Sequence, residues 1–116
     1  MADEREELLR GAYAAFNERD IERALVLMVP DVDWPNGMEG GWVHGHDEVR
    51  AYWERQFGLI DSHVSPSDFS VLDDGRVAVR VLQVVRSLEG DVLSDDYVTH
   101  IYSFRDGLVS RMDIVS

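Results

Sequence analysis

The sequence predicts an α+β fold, with helices in the first half of the chain and an antiparallel sheet in the second half. Three segments before residue 58 carry apolar residues at helical spacing, whereas the later segments alternate apolar and polar residues. The alternating segments are joined by the turn sequences DDG, EGD and RDG, which are typical of hairpins. Because the two patterns are segregated along the chain, we expect the helices to lie on one side of the sheet.

The first predicted helix has the sequence DEREELLRGAYAAFNERD and begins at Asp3. Acidic residues crowd its first turns, where the helix dipole favours negative charge. Its apolar residues recur at intervals of three and four positions and form one stripe. They are Leu9, Ala12, Tyr13 and Phe16. This stripe is expected to face the core.

Two shorter helices are expected to follow. Asp20 is a suitable N-cap for the second helix, IERALVLM, in which Met28 faces inward and which ends at Pro30. The next segment is rich in glycine and proline, contains two tryptophans, and cannot be regular helix. The third helix, DEVRAYWERQF, has an apolar stripe of its own and is expected to stop at Gly58.

Four strands are predicted in the second half: HVSPSDFSVL, RVAVRVLQVVRSL, VLSDDYVTHIYSF and LVSRMDIVS. Strict alternation gives the second of them a face of valines that only Gln83 interrupts. The third strand carries His100 on the same face as Tyr102. An amide and an imidazole on apolar faces are therefore the first candidates for functional groups.

Composition and charge exclude several classes of partner. The net charge is −12, and all 11 basic residues are arginines, so the surface repels phosphate backbones and nucleic-acid binding is not expected. No apolar run approaches the ~18 residues of a membrane span, so no membrane partner is expected either. Cysteine is absent, which excludes disulfides and thiolate chemistry. We expect one domain over residues 1–116, located in the cytoplasm.

No metal or cofactor is expected. His44 and His46 lie near Glu39 and Asp47, but residues this close in one loop do not supply a tetrahedral ligand set. The sequence GMEGG lacks the lysine and the strand-to-helix context of a phosphate-binding loop. His46 is instead expected to help start the third helix.

The segments AYAAFNERDIERALVLMVPDVDW, GHDEVRAYW and FRDGLVSRMDI together resemble the nuclear transport factor 2-like superfamily, in particular its SnoaL-like and ketosteroid-isomerase-like proteins. The resemblance covers nearly the whole chain. It implies a cone-shaped α+β barrel in which three N-terminal helices pack on a curved antiparallel sheet and enclose an apolar pocket. The superfamily includes isomerases, dehydratases, cyclases and non-catalytic proteins, so the fold alone does not define the reaction.

The resemblance also implies which residues line the pocket. They are Tyr13, Phe16, Met28, Trp34, Asn36, Tyr52, Trp53, Gln56, Gln83, Tyr102 and Met112, around His100 as the candidate catalytic residue. Steroid isomerases of the family use a tyrosine, a base aspartate and a strand aspartate. The corresponding positions here are Ala12, Asn36 and His100, and none of them matches. Isomerisation of steroids by that mechanism is therefore not expected, because asparagine cannot take up a proton as a carboxylate does.

Two interpretations of His100 stay open. An imidazole with an ordinary pKa near ~6.5 transfers protons at neutral pH, but a lone histidine on a strand is often only a hydrogen-bonded core residue. The first interpretation predicts a cofactor-independent isomerase, dehydratase or cyclase acting on a hydrophobic oxygenated molecule. Tyr13, Asn36 or Gln83 would then donate to a developing enolate. The second predicts a non-catalytic ligand-binding or dimerisation module.

A homodimer is expected through the opposite face of the sheet. Arg80, Leu82 and Val84 on one strand and Ile101 on the next place apolar area and charge on a surface that would otherwise face solvent. Family members commonly pair through this face.

Overall fold

The computed structural model describes residues 4–115, and Asp3 and Ser116 lie outside them. The elements in chain order are α1 (Glu4–Asn17), α2 (Ile21–Leu25), β1 (Met28–Pro35), β2 (Trp42–His44), α3 (Gly45–Leu59), β3 (Asp61–Val71), β4 (Val77–Arg86), β5 (Val92–Arg105) and β6 (Leu108–Val115). Among the described residues, no helix is long and apolar enough to cross a bilayer.

The six strands form one curved sheet in the order β2-β1-β6-β5-β4-β3. The predicted α+β class, with helices packed on a curved sheet, is confirmed. Two details differ from the prediction: the sheet is not closed into a barrel, and β1 pairs with β6 in parallel. Hairpin turns reveal only the antiparallel pairs of the second half. They carry no information about β1, which joins the sheet beside a strand about 80 residues later in the sequence.

Several predicted helix boundaries are wrong. The first helix ends at Asn17 and not at Asp20, and the third begins at Gly45 and not at Asp47. The second helix ends at Leu25, and Met28 begins a strand instead of closing the helix. Valines recur in this stretch, and their branched side chains favour extended backbone, so the short apolar run forms a strand. The third helix passes through Gly58 to Leu59. It ends where Ile60 adopts an extended conformation while its N–H still bonds to the carbonyl of Gln56.

The core lies between the helices and the concave face of the sheet. On β4, Val77, Val79 and Val81 are buried as the alternation predicts. Leu9 of α1 and Val49 of α3 are fully buried above the sheet. α1 packs mainly against β3, whereas α3 packs mainly against β1. The two helices thus stand over opposite parts of the sheet, and the space between them and the sheet forms a cavity.

Candidate functional site

A cavity of about 440 Å³ opens between the helices and the concave face of the sheet. Its wall is largely aromatic and sulfur-containing. Trp53 anchors this wall, because its ring meets Phe16 edge-on at 5.6 Å and Trp34 at 5.4 Å between centroids. Met28, Met38 and Met112 add flexible apolar surface. The arrangement offers a largely apolar wall to a small molecule.

A hydrogen-bonded cluster of three side chains lies in the wall of this cavity. The Tyr13 hydroxyl is 2.8 Å from Nδ1 of His100 and 2.8 Å from the Tyr102 hydroxyl. The distance from the Tyr102 hydroxyl to Nδ1 is longer, at 3.5 Å. All three residues are buried and all three line the cavity. The cluster joins α1 to β5, since alternation turns His100 and Tyr102 to the inner face of β5.

Burial keeps the members of this cluster uncharged at neutral pH. Desolvation lowers the pKa of His100 to about 4, because burial disfavours the charged imidazolium. Desolvation also raises the pKa of Tyr13 and of Tyr102 well above the ordinary value for a phenol. His100 is therefore a neutral imidazole at pH 7.

The other nitrogen of His100, Nε2, is open to the cavity. Within residues 4–115 it makes no hydrogen bond to the protein. Ser62 Oγ is the one fully buried side-chain polar atom in that range that lacks a partner. Nε2 of His100 also lacks a partner, but it is not a fully buried atom as Ser62 Oγ is. Since His100 lines the cavity, Nε2 borders its free space.

Further polar side chains on the cavity wall lack protein partners within the described chain. Besides the Ser62 hydroxyl, the amides of Gln56 and Gln83 make no hydrogen bond within the described chain. Gln56 is 8% exposed and Gln83 is half-buried. An unsatisfied buried polar group costs about 1–3 kcal/mol, and this cost applies to the fully buried Ser62 hydroxyl and not to the two amides. The two amides can provide polar contacts to a ligand.

Most of the side chains expected at the site lie on the cavity wall. The structure places Tyr13, Phe16, Met28, Trp34, Tyr52, Trp53, Gln56, Gln83, His100, Tyr102 and Met112 there. Asn36 is the exception. Its Oδ1 accepts hydrogen bonds from the backbone N–H groups of Met38 and Glu39, and its Nδ2 donates to the Glu39 carboxylate. Asn36 therefore shapes the turn between β1 and β2 and does not line the cavity.

Sequence reasoning missed Ser62 and Ser94, which also line the cavity. The predicted strand began at His63, one residue too late to include Ser62. Ser94 lies six residues before His100 on β5, so strand alternation predicts both side chains on the same face of the sheet. No Asp, Glu, Lys or Arg of the described chain lines the cavity. Among the described lining residues, His100 is the one whose residue type has a pKa near neutrality in water.

His44 and His46, the two histidines considered for a metal site, form their contacts outside the cavity. Nδ1 of His44 is 2.6 Å from the Asp33 carboxylate, and the His44 N–H donates to the Glu48 carboxylate at the start of α3. Nε2 of His46, within the first turn of α3, is 3.0 Å from the carbonyl of Met28. Among residues 4–115, no group of three or more potential His or carboxylate ligands is close enough to hold a metal ion.

Comparison with known proteins identifies the family. A family model described as a SnoaL-like domain matches residues 9–112. TerC, co-crystallised with polyporic acid, is 31% identical, with a TM-score of 0.84 over 97% of this chain and 91% of that chain. An NTF2-like protein of unknown function from Burkholderia pseudomallei is 28% identical, with a TM-score of 0.84 over 97% and 90% of the two chains.

A third solved structure shares the fold at lower identity. A Mycobacterium tuberculosis protein in complex with estradiol-17β-hemisuccinate is 17% identical, with a TM-score of 0.81 over 96% of this chain and 92% of that chain. A comparison with curated proteins finds no match. The match to the family model covers most of the chain and agrees with the predicted resemblance. The chain belongs to the SnoaL-like family of the nuclear transport factor 2-like superfamily.

Proposed function

We propose that the protein binds a small hydrophobic molecule in this cavity and contacts an oxygen of that molecule through His100. One observation carries the proposal: an aromatic cavity contains polar side chains that have no protein partner. The volume of about 440 Å³ is within the range of small-molecule sites. TerC, the 31% identical relative, was co-crystallised with polyporic acid, which supports a ligand of this general kind.

The sheet register supports a ligand with polar groups at both ends. His100 pairs with Val79 of β4, whereas Gln83 lies four residues further along that strand. Four residues of strand correspond to about 13 Å between backbone positions. A ring system with oxygens at both ends would meet His100 at one end and the Gln83 amide at the other.

Proton transfer at His100 is the catalytic form of the proposal. A cofactor-independent isomerase, dehydratase or cyclase would use His100 as its acid or base, with Gln83 as an additional hydrogen-bond donor. The one hydroxyl hydrogen of Tyr13 is already used in its contacts with His100 and Tyr102. Asn36 is no longer a candidate donor, because its side chain is used within the β1–β2 turn.

Non-catalytic binding is the second candidate, and a specific observation favours it. Burial lowers the pKa of His100 to about 4, which makes it a weak base at pH 7. No carboxylate of the described chain lines the cavity to replace it. Catalysis by proton transfer would need a stronger base than this cavity provides, whereas ligand binding without catalysis needs only the groups that are present.

Tryptophan fluorescence tests binding directly, because Trp34 and Trp53 line the cavity. Titration with the aromatic ketone 9-fluorenone should give saturable quenching, and His100→Asn should weaken the affinity. His63→Asn is the matched control, since His63 is exposed on the outer face of β3. Absence of saturable quenching by 9-fluorenone and by related aromatic ketones would contradict the proposal.

Deuterium exchange separates catalysis from binding. The protein is incubated with 1-tetralone in deuterated buffer, and incorporation at the carbon next to the carbonyl is followed by mass spectrometry. Proton transfer predicts exchange that is faster with the native protein than with His100→Asn. Equal rates together with retained binding would support the non-catalytic function.

We also propose that the convex face of the sheet pairs with a second copy of the chain. Leu82, Val84 and Ile101 are half-buried on this face, and the guanidinium of Arg80 lies 4.8 Å from the ring centre of the exposed Tyr97. Light scattering should give about twice the chain mass of 13.2 kDa. Leu82→Glu should return the protein to a monomer. A native protein of 13.2 kDa at high micromolar concentration would contradict this pairing.

A further inference from the structure

The hydrogen atoms of the Tyr13–His100–Tyr102 cluster can be assigned by requiring that each buried hydroxyl finds an acceptor. A neutral imidazole carries one ring hydrogen, on either Nδ1 or Nε2. Each tyrosine brings one hydroxyl hydrogen. The cluster therefore has three hydrogens to place, and the two contacts of 2.8 Å can each hold one of them. Leaving a buried hydroxyl without an acceptor is costly, which decides between the arrangements.

One arrangement uses both short contacts fully. The Tyr102 hydroxyl donates to the Tyr13 oxygen, and the Tyr13 hydroxyl donates to Nδ1 of His100. Both hydroxyl hydrogens then have acceptors, and the ring hydrogen is on Nε2. The reverse order around the cluster, in which Tyr13 donates to Tyr102 and Tyr102 donates across 3.5 Å to Nδ1, also requires an unprotonated Nδ1. Both arrangements give the same tautomer.

Placing the hydrogen on Nδ1 fails in every arrangement. Nδ1 would donate to the Tyr13 oxygen, and the hydroxyl of either Tyr13 or Tyr102 would then point at no acceptor in the described chain. Both tyrosines are buried and no other described side chain offers an acceptor, so only water held in the cavity can replace the lost hydrogen bond. The cost of an unsatisfied buried donor therefore opposes this tautomer.

We propose that His100 presents an N–H at Nε2 to the cavity, and that the site selects ligands whose oxygen is a hydrogen-bond acceptor, such as a ketone, quinone or enolate. Tyr13 is the positioning residue, because its hydroxyl occupies Nδ1 and so fixes the tautomer. This inference rests on the proposed function for its ligand class, although the tautomer itself is a property of the free protein. His100 is then a donor to the ligand and not the base that removes its proton.

The chemistry of the other wall groups is consistent with selection at His100. The amides of Gln56 and Gln83 each offer both a donor and an acceptor, so they accept either kind of ligand group. A serine hydroxyl does the same. Nε2–H is different because it can only donate, and a ligand N–H placed against it would leave two donors facing each other. Discrimination between acceptor and donor ligands should therefore arise at His100.

Nitrogen NMR of the ligand-free protein tests the tautomer without any ligand. The spectrum of uniformly ¹⁵N-labelled protein at pH 7 should show a protonated-type shift for Nε2 of His100 and an unprotonated-type shift for Nδ1. His100→Asn identifies the signals among the 4 histidines. A protonated-type shift at Nδ1 would overturn the inference.

Two tyrosine variants test the positioning role. Tyr13→Phe should let the Nδ1-protonated tautomer appear beside the other one, because the remaining hydroxyl, that of Tyr102, lies 3.5 Å from Nδ1 and holds it less firmly than the lost contact of 2.8 Å. Tyr102→Phe is the matched control: it removes a hydroxyl of the same cluster but leaves Tyr13 able to donate to Nδ1, so the tautomer should be unchanged. Equal spectra for the native protein and Tyr13→Phe would remove Tyr13 from this role. If Tyr13→Phe does not fold, the native spectrum still decides the tautomer.

A pair of planar ligands of nearly the same shape tests the selectivity. 9-Fluorenone offers a carbonyl acceptor, whereas carbazole offers an N–H donor at the equivalent position. Fluorescence titration should show 9-fluorenone binding at least about tenfold more tightly, as one well-made hydrogen bond predicts. Tighter binding of carbazole would overturn the inference while leaving the proposed function intact. If neither ligand binds, the proposed ligand class fails, and the NMR spectrum alone decides the tautomer.

Discussion

The Tyr13 hydroxyl and Nδ1 of His100 lie 2.8 Å apart, although 87 positions separate the two residues in the chain. This contact joins the first helix to the penultimate strand, so it forms only when the helix is seated on the sheet. The rings of the two residues are also nearly parallel, with centroids 5.9 Å apart and an interplanar angle of 14°. One buried pair thus contributes to the fold and orients the candidate functional group.

Tyr13→Phe should destabilise the protein. The substitution leaves Nδ1 of His100 without its closest partner and removes the oxygen to which Tyr102 donates. A loss of about 1–3 kcal/mol in the free energy of unfolding is expected, measured by urea denaturation at pH 7. Tyr97→Phe is the control, because Tyr97 is 53% exposed and should change stability by less than about 0.5 kcal/mol. Equal effects of the two substitutions would contradict a structural role for the Tyr13 hydroxyl.

His100 should make stability depend on pH between about 6.5 and 4. Burial lowers its pKa in the folded protein from 6.5 to about 4, so in this window the unfolded chain binds a proton that the folded chain does not. Stability therefore rises with pH, and the contribution present above pH 6.5 is lost as the pH falls to about 4. The expected total is roughly 3 kcal/mol, from 1.36 kcal/mol per pH unit.

Comparison with His100→Asn isolates this contribution from the acidic residues. The free energy of unfolding of both proteins is measured in urea at several values between pH 7 and pH 4. The native protein should lose more stability than the variant over this range. Parallel curves for the two proteins would show that His100 is not held neutral by burial.

Strand alternation made the inner face of the sheet predictable from the sequence. Helix boundaries and local side-chain contacts were harder to predict. Gln83 and His100 were found because successive strand residues point to opposite faces. Met28 was assigned to a helix because a short apolar run fits either period. Asn36 does not reach the cavity, because its side chain forms hydrogen bonds within its own turn. Such local hydrogen bonds compete with any contact to more distant groups.

The hydrogen bonds among Tyr13, His100 and Tyr102 could not be predicted from the sequence. Tyr13 and Tyr102 were both expected near the pocket, but their contact with each other depends on the height and angle at which α1 packs over the sheet. No local pattern encodes that angle, because it results from packing across the whole core. The unprotonated state of Nδ1 follows from the same geometry.

Ser62→Ala should be neutral or stabilising. Ser62 is fully buried and its hydroxyl has no hydrogen-bond partner within the described chain, so removing it removes a desolvation cost. A gain of up to about 1 kcal/mol is expected, reduced by the small space left behind. Ser70→Ala, at an exposed position of the same strand, is the control and should be close to neutral. A loss above about 1 kcal/mol for Ser62→Ala would mean that the hydroxyl has a partner in the free protein.

Gln83→Leu should separate stability from binding. Gln83 interrupts the valine face of β4, opposite Val64 of β3, and its amide makes no hydrogen bond within the described chain. Leucine has a similar size and no polar group to desolvate, so the free energy of unfolding should rise by about 1 kcal/mol. The same change removes a polar contact from the far end of the cavity. Affinity for a ligand with a second oxygen there should fall roughly tenfold.

The two effects are measured on one pair of proteins with two ligands. 2-Hydroxy-9-fluorenone carries a second oxygen at the end of its ring system, whereas 9-fluorenone has only the carbonyl that we assign to His100. The variant should weaken binding of the first ligand more than binding of the second, while its urea midpoint increases. If Gln83 were a structural residue with a partner in the free protein, the variant would be less stable and both ligands would be affected alike.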